Sequence, residues 1–297
     1  MLKRVARRVL SSDEIAPFLR WTLRPLAPCV PNRVLFPIPL APIVTARLPG
    51  GGTMRYGGGK DRLAQSLFWH GYRGHEPETM DLVHSLINTC SVMLDIGASS
   101  GIFAIAAALT NPSLIVHAFE PVPRIFELLQ RNLRLNDLCS VTAHPSAVSD
   151  RIGSLSLYVP PGDFPAVASL RPGLCPGCDE IAVQGTTIDC VVDAHQLPCV
   201  DLMKIDTETT EPEVLQGGRR ALARFRPLII CEVLKGSTED GLHDVLDTQD
   251  YRYYWITRRG LEPRRRIEGD PACHERNYLF VPEEKVGLVA RIARVRL

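Results

Sequence analysis

The stretch Leu94-Asp95-Ile96-Gly97-Ala98-Ser99-Ser100-Gly101 constrains the fold of this chain more than any other feature. It closes a short apolar run from Ser91 to Ile96 and leads directly into Ile102 to Leu109, which is apolar on all sides. A run of that length ending in glycine reads as a buried parallel strand, and the apolar segment beyond Gly101 as a buried helix. The small residues between them let the backbone turn sharply and bring its N–H groups against a ligand where the helix starts. In open α/β sheets such a loop lies at the C-terminal edge of the strands, where ligands bind at the switch point. Taken alone, the loop also fits a tight turn with no ligand.

The segments around it repeat the same alternation. Thr79 to Ile87 and Pro123 to Leu135 have helical apolar faces, and Leu114 to Phe119 reads as a second buried strand. Ser140 to Val148 and Leu155 to Val159 are further strand candidates. Asp201 to Ile205 is a fourth core strand, Pro212 to Phe225 is helical, and Leu228 to Val233 is a fifth strand. Tyr253 to Thr257 and Asn277 to Val281 follow with a polar loop and no helix between them, so they are expected to close one sheet edge as an antiparallel hairpin. The fold class predicted is α/β, a mostly parallel seven-stranded sheet covered on both faces, with an antiparallel terminal hairpin.

Glu120 ends the second strand at about the ~20-residue interval from the glycine loop at which an acidic side chain reaches a ribose. Nicotinamide enzymes and methyltransferases share this arrangement. The glycines here are Gly97 and Gly101, without the middle glycine that lets the backbone approach a pyrophosphate. That absence favours S-adenosylmethionine, which has a ribose and no phosphate. A third cluster is Lys204-Ile205-Asp206-Thr207-Glu208-Thr209-Thr210-Glu211. Lys204 and Asp206 share one strand face. Close carboxylates repel unless a cation, Lys204 or a hydrogen-bonding substrate compensates. Helix capping by Thr209 or Thr210, with Glu211 and Glu213 in the first turn, accounts for part of the cluster but poorly for Asp206.

In these motifs the chain resembles the FkbM-type methyltransferases. Asp95 to Gly101 follows the family's D-x-G-A-N-x-G loop with Ser99 in place of Asn, and Glu120-Pro121 precedes a helix ending Asn132-Leu133-Arg134-Leu135-Asn136. Ala147-Val148-Ser149-Asp150 with Gly153, Thr187-Ile188-Asp189 and Asn277-Tyr278-Leu279-Phe280-Val281-Pro282 match further elements, and Lys204 to Glu211 matches K-I-D-x-E-G-x-E with Thr209 in place of Gly. The resemblance spans roughly residues 70 to 285. It implies a Rossmann-like class I methyltransferase that uses S-adenosylmethionine, usually for O-methylation of a small-molecule, natural-product or glycan acceptor. The cofactor-binding residues it points to are Glu76, Asp95, Gly97, Ala98, Ser99, Gly101, Glu120, Pro121, Ser146 and Ala147. Asp206, Glu208 and Lys204 are the catalytic candidates, with Asp206 or Glu208 taking or orienting the acceptor's proton. A divalent cation suits these hard oxygen ligands, but nothing in the sequence requires one. Thr209, β-branched, is a poor residue for a positive φ, so the turn after Glu208 is expected to differ from the family's. An NAD-dependent oxidoreductase and a catalytically silent cofactor-binding module are the competing readings.

Domain expectations follow from composition. Residues 1–70 read as an N-terminal extension, 71–285 as the methyltransferase domain and 286–297 as a basic tail. Met1 to Leu10 alternates basic and apolar residues, which suits a solvated helix or weak peripheral contact with an anionic membrane. The glycine clusters at 50–52 and 57–59 suggest turns around a short hairpin at Thr53 to Tyr56. The longest apolar stretch, Val34 to Ala46, is broken by Pro37, Pro39 and Pro42 and is too short to span a bilayer. A formal net charge of +1 makes nucleic acid an unexpected partner, and nine scattered cysteines with no signal-type apolar region suit a cytoplasmic location. His70, His75 and Glu76 could close over the cofactor. His117 reads as a satisfied core residue, and the Cys175/Cys178 loop as a wall of the acceptor site.

Overall fold

The computed structural model describes residues 15–58, 61–162, 167–174 and 176–292. The basic segment Met1 to Leu10 and Cys175 lie outside them. The described chain opens with helices α1 (Ala16–Leu23) and α2 (Asn32–Leu35), then strands β1 (Ile43–Arg47) and β2 (Thr53–Gly57), which pair antiparallel across the Gly50–Gly52 turn. Helices α3 (Arg62–His70) and α4 (Pro77–Leu86) lead into the sheet. Strand β3 (Val92–Ile96) is buried along its whole length, as a central parallel strand covered on both faces must be. It is followed by α5 (Ile102–Thr110), β4 (Ile115–Phe119), α6 (Pro123–Leu135) and β5 (Val141–His144). Helix α6 starts on Pro123, whose missing N–H costs nothing in a first turn, and buries Ile125, Leu129 and Leu133.

The segment 140–148, expected as one strand, is two. Pro145 has no N–H to donate, and after it the chain leaves the main sheet as β6 (Ser146–Val148). With β7 (Gly153–Val159) and β8 (Asp179–Thr186), β6 forms a separate three-stranded sheet, order β6-β8-β7. Strand β8 escapes a reading by apolar runs because it alternates exposed and buried positions, with Glu180 and Gln184 outward. Thr187, matched earlier to a family motif, is the N-cap of α7 (Ile188–Ala194): its side chain accepts a hydrogen bond from the Cys190 N–H at 3.1 Å.

The chain then returns to the main sheet as β9 (Leu202–Ile205), α8 (Glu211–Gln216), α9 (Arg219–Phe225) and β10 (Leu228–Glu232). Helix α10 (Glu239–Leu246), strands β11 (Tyr251–Thr257), β12 (Gly260–Arg264) and β13 (Asn277–Pro282), and α11 (Val286–Ile292) complete it. The sheet has eight strands in the order β12-β11-β13-β10-β9-β3-β4-β5, one more than expected, because the polar loop after β11 turns back as β12. The run β10-β9-β3-β4-β5 is parallel, and β13 enters antiparallel between β10 and β11, so the expected antiparallel closure is present.

The chain runs from β3 outward to β5 and returns to β9 on the other side of β3. The crevice at the carboxyl ends of β3 and β9 is therefore the switch point. One core lies under α4, α5 and the β1–β2 hairpin, and the other between the opposite sheet face and helices α7 to α10. Val44, Ala46, Met54 and Tyr56 of the hairpin are buried in the first core, as is Val289 of α11. No helix among the described residues is long and apolar enough to cross a membrane.

Candidate active site

At the switch point the chain encloses a cavity of about 580 Å³. Its floor is the turn after β3. Gly97 and Gly101 have φ of 78° and 90°, conformations that glycine adopts without cost. A Cβ on Gly97 would sit 1.8 Å from the Asp206 carbonyl oxygen, so the turn after β3 and the turn after β9 touch backbone to backbone. Ser99 is also left-handed, φ 49°, in the conformation Asn tolerates best among non-glycine residues.

Eleven of the thirteen expected site residues line the cavity: Glu76, Gly97, Ala98, Ser99, Glu120, Pro121, Ser146, Ala147, Lys204, Asp206 and Glu208. Asp95 and Gly101 stand behind the wall. Asp95 is buried, with Oδ2 accepting a hydrogen bond from the Ala104 N–H at 3.0 Å, and so ties β3 to α5 instead of facing a ligand. Gly101 is held by Leu129, whose Cδ1 would lie 2.4 Å from an added Cβ.

Glu120 follows β4 directly, with only 6% of its surface exposed. Its Oε1 accepts the Val122 N–H at 2.8 Å, while burial raises its pKa to about 7 despite that bond and one from the Ser99 N–H. Glu76 caps α4 from the left-handed region, φ 41°, and its Oε2 accepts a hydrogen bond from Asn277 Nδ2 at 2.9 Å. His75 lies beside it on the cavity wall. His70 instead faces Asn32, with Nε2 2.8 Å from the Asn32 Oδ1.

Lys204 is buried on β9 and donates to Asp206 Oδ2 at 2.9 Å, with its Nζ 4.6 Å from the Phe103 ring centre. Burial opposes the ammonium charge, but Asp206, Glu76 and Asp95 outweigh it and hold its pKa above the usual value. Asp206 stays below the usual carboxylate range: burial pushes it up, and the Lys204 ion pair more than offsets this. Glu208 behaves oppositely. Burial, then the Asp206 and Glu211 charges, raise it to about 8. Glu211 is fully buried, and its Oε1 accepts from the Thr207 N–H and hydroxyl at 2.9 and 3.1 Å, tightening the turn. Thr210 is the N-cap of α8 without a side-chain cap bond, and Thr209, at φ 84°, is buried with its hydroxyl unpartnered.

Glu232 and Arg276 are among the wall residues that escaped the sequence reading. Glu232 ends β10, the parallel neighbour of β9, so its position at a carboxyl end is the same signal that marks Asp206. Burial and the nearby Asp206, Glu208 and Glu211 push its pKa up, and Arg276 pairs with its Oε1 at 3.3 Å. Arg276 precedes β13, and the Glu232–Asn277 register brings it there, which only the strand order reveals. One carboxylate oxygen each from Asp206, Glu208 and Glu232 falls within 4.8 Å of the others.

The N-terminal segment supplies the rest of the wall through Asn32, Phe36, Tyr56, Asp61, Arg62, Leu63 and Ser66. The Tyr56 hydroxyl lies 2.8 Å from Ser100 Oγ on the floor and 3.0 Å from Asp61 Oδ2. One hydroxyl hydrogen serves one acceptor, so Tyr56 donates to the Asp61 carboxylate and accepts from Ser100. From the β7–β8 connection, Ala168, Ser169 and Leu170 line the cavity, whereas the described residues Pro176 to Cys178 do not.

A switch-point cavity at the carboxyl ends of a mostly parallel sheet, with β13 inserted antiparallel, defines a Rossmann-like class I methyltransferase fold. The chain belongs to the FkbM methyltransferase family: the model of the methyltransferase FkbM domain matches residues 95–254. It is 28% identical to the 31-O-demethyl-FK506 methyltransferase FkbM of Streptomyces tacrolimicus, over 59% of this chain and 75% of that protein. It is also 28% identical to Methyltransferase 1 of Beauveria bassiana, over 43% of this chain and 58% of that protein, and 29% identical to methyltransferase sdnD of Sordaria araneosa, over 42% and 59%. The match thus spans less than two thirds of the two fungal proteins. Among solved structures, the methyltransferase FkbM of Methylobacillus flagellatus is similar with a TM-score of 0.44 and 16% identity, over 73% of this chain and 54% of that one.

Proposed function

We propose that this methyltransferase uses S-adenosylmethionine and transfers the methyl group to a hydroxyl oxygen of a small-molecule or glycan acceptor. The observation that carries the cofactor reading is the buried Glu120 carboxylate just beyond β4, on the cavity wall beside the Gly97–Ser99 turn, whose Ser99 N–H it accepts. A carboxylate there accepts hydrogen bonds from both ribose hydroxyls. The rest of the wall fits the same ligand. The carboxylates Asp206, Glu208, Glu232, Glu76, Glu120 and Asp61 outnumber Lys204, Arg276 and Arg62 on the wall, a balance that favours a cationic sulfonium over a pyrophosphate. That charge pattern also weighs against NAD. Oxygen as the acceptor atom is supported by the Streptomyces relative, a 31-O-demethyl-FK506 methyltransferase, and by the acid–base pair at Asp206 and Glu208.

When bound, the sulfonium supplies an electrophilic methyl group. The chain's task is to place an acceptor hydroxyl in line and take its proton, and positioning alone supplies up to ~7–11 kcal/mol in favourable models. Glu208, less acidic than its neighbour, is the base. Asp206, held ionised by Lys204, orients the hydroxyl. Phe36, Asn32 and the 168–170 segment border the acceptor side. Two of the three clustered carboxylates already face a cation, Asp206 with Lys204 and Glu232 with Arg276. Turnover is therefore expected to be the same with and without magnesium, and a strict magnesium requirement would move the three carboxylates into a metal site.

Calorimetric titration of the protein and its Glu120→Ala variant with S-adenosylmethionine, S-adenosylhomocysteine and NAD tests the reading. The first two should bind, and losing the ribose contacts should weaken both by roughly 10- to 100-fold. Binding of NAD alone would overturn it. Binding without turnover on any hydroxylated acceptor would make the chain a silent cofactor-binding module.

A further inference from the structure

A second cluster of ligating side chains lies outside the cavity, on the sheet face covered by α7. His117 on β4 and His144 at the end of β5 project from that face, and His195 meets them as the C-cap residue of α7. His117 Nδ1 is 3.0 Å from His144 Nε2, and one ring nitrogen from each of the three residues falls within 4.8 Å of the others. The ring centres are 4.5 to 5.2 Å apart. Exposure is graded: His117 is buried, His144 intermediate and His195 exposed.

We propose that His117, His144 and His195 form a binding site for a borderline transition-metal ion, zinc foremost, with a fourth position open to solvent beside His195. Zinc–nitrogen bonds of ~2.0–2.1 Å at tetrahedral angles set nitrogens about 3.4 Å apart, so small side-chain rotations bring the three into place. Imidazole nitrogens select zinc, cobalt, nickel or copper over magnesium and calcium, which take oxygen ligands. The ligands need no deprotonation. Each neutral imidazole offers one ring nitrogen to the ion. Metal entry replaces the His117–His144 hydrogen bond, and the shared proton's ring carries it on the nitrogen facing away. The ion would tie the hydrogen-bonded strands β4 and β5, at one edge of the sheet, to α7. It would also act next to the cofactor cavity, because His144 stacks on Phe119 at 4.5 Å and Phe119 lines that cavity. The site stands independently of the methyl-transfer reading.

Tag-free protein stripped of metal would be titrated with zinc chloride calorimetrically, and with cobalt(II) chloride while recording visible absorption. One equivalent of zinc should bind and cobalt should give an intense tetrahedral spectrum. His195→Ala, at an exposed position that leaves the fold intact, should weaken zinc by on the order of a hundredfold or more, since even outer-shell partners are worth 10–100-fold. Cys178→Ser and Asp206→Asn should leave zinc affinity unchanged. The proposal is overturned if zinc fails to bind, if His195→Ala binds as the unaltered chain does, or if the affinity is lost in either of the other two variants.

Discussion

Asp206 and Glu208 are two residues apart and hold opposite charge preferences, which gives them separable roles. Asp206 pairs with buried Lys204 and stays ionised, while Glu208 has no cation in contact and is lifted to about 8 by burial and by its acidic neighbours. A base with that pKa is competent only once deprotonated. Turnover should therefore climb with pH through a midpoint at or below about 8, the cationic cofactor drawing it downward, and then level off. Glu208→Gln should abolish the rise and cost ~10²–10⁴ in kcat. A kcat profile that is flat from pH 6 to 9 would remove Glu208 as the base. Asp206→Asn should lower kcat about a hundredfold through a misplaced hydroxyl while cofactor affinity is kept. Equal turnover in the variant would show that Asp206 orients nothing. Both carboxylates were legible in the sequence, because they follow a buried strand. Arg276 was not, since its place beside Glu232 depends on β13 inserting between β10 and β11, a long-range pairing with no local signature.

At the scale of the element, the turn from Ile205 to Glu211 shows what a departure from the family pattern costs. Thr209 occupies φ 84°, a conformation for which a β-branched side chain is unsuited, and its hydroxyl is buried without a partner. The turn keeps its left-handed path because Glu211 grips the Thr207 N–H from the following helix and Ser169 Oγ donates to the Glu208 carbonyl at 2.6 Å. Thr209→Gly should raise stability by about 1–2 kcal/mol, the strain relieved less the buried methyl lost. A lower midpoint in thermal unfolding would mean that the methyl packs better than the backbone suffers. Thr209 thus takes the positive φ for which its β-branched side chain was expected to be a poor choice. Elements with a period or an apolar run, such as β3, α5 and α6, could be read directly. Strand β8 and the break at Pro145 could not, because they belong to a small sheet whose strands are half exposed.

Across the whole molecule, the raised carboxylates make the empty protein sensitive to alkali. Asp95 titrates at about 6, Glu120 and Glu211 at about 7 and Glu208 at about 8, all above their unfolded values. Each contributes stability that is complete below the unfolded pKa and is lost as pH rises through the folded one. His117 and His144, depressed to about 4, act the other way, but only below their unfolded pKa of 6.5. The four acids outweigh the two histidines, so the melting temperature of ligand-free protein should fall from pH 5 to 9, most of it below pH 8. Glu211→Gln, which keeps the oxygen that accepts from Thr207, should flatten the part of that fall between pH 5 and 7, where a group raised from 4.5 to about 7 gives up about 3 kcal/mol. A melting temperature that rises toward pH 9 would contradict the assignment. The overall plan was readable from alternating strands and helices. The part played by residues 32–66 in walling the cavity was not, since burial of Tyr56 against Ser100 joins segments with no shared pattern.

The contact of Gly97 with the Asp206 carbonyl sets where this architecture can diversify. With no room for even one carbon between the two turns, a side chain gained at one displaces the other, and the glycine turn after β3 and the acidic turn after β9 must drift together or not at all. The borders formed by Asn32, Phe36, Ala168 and Leu170 carry no such interlock, whereas Ser169 is tied to the Glu208 carbonyl. New acceptors are therefore expected to be won by remodelling the rim, over an inherited base that stays the same.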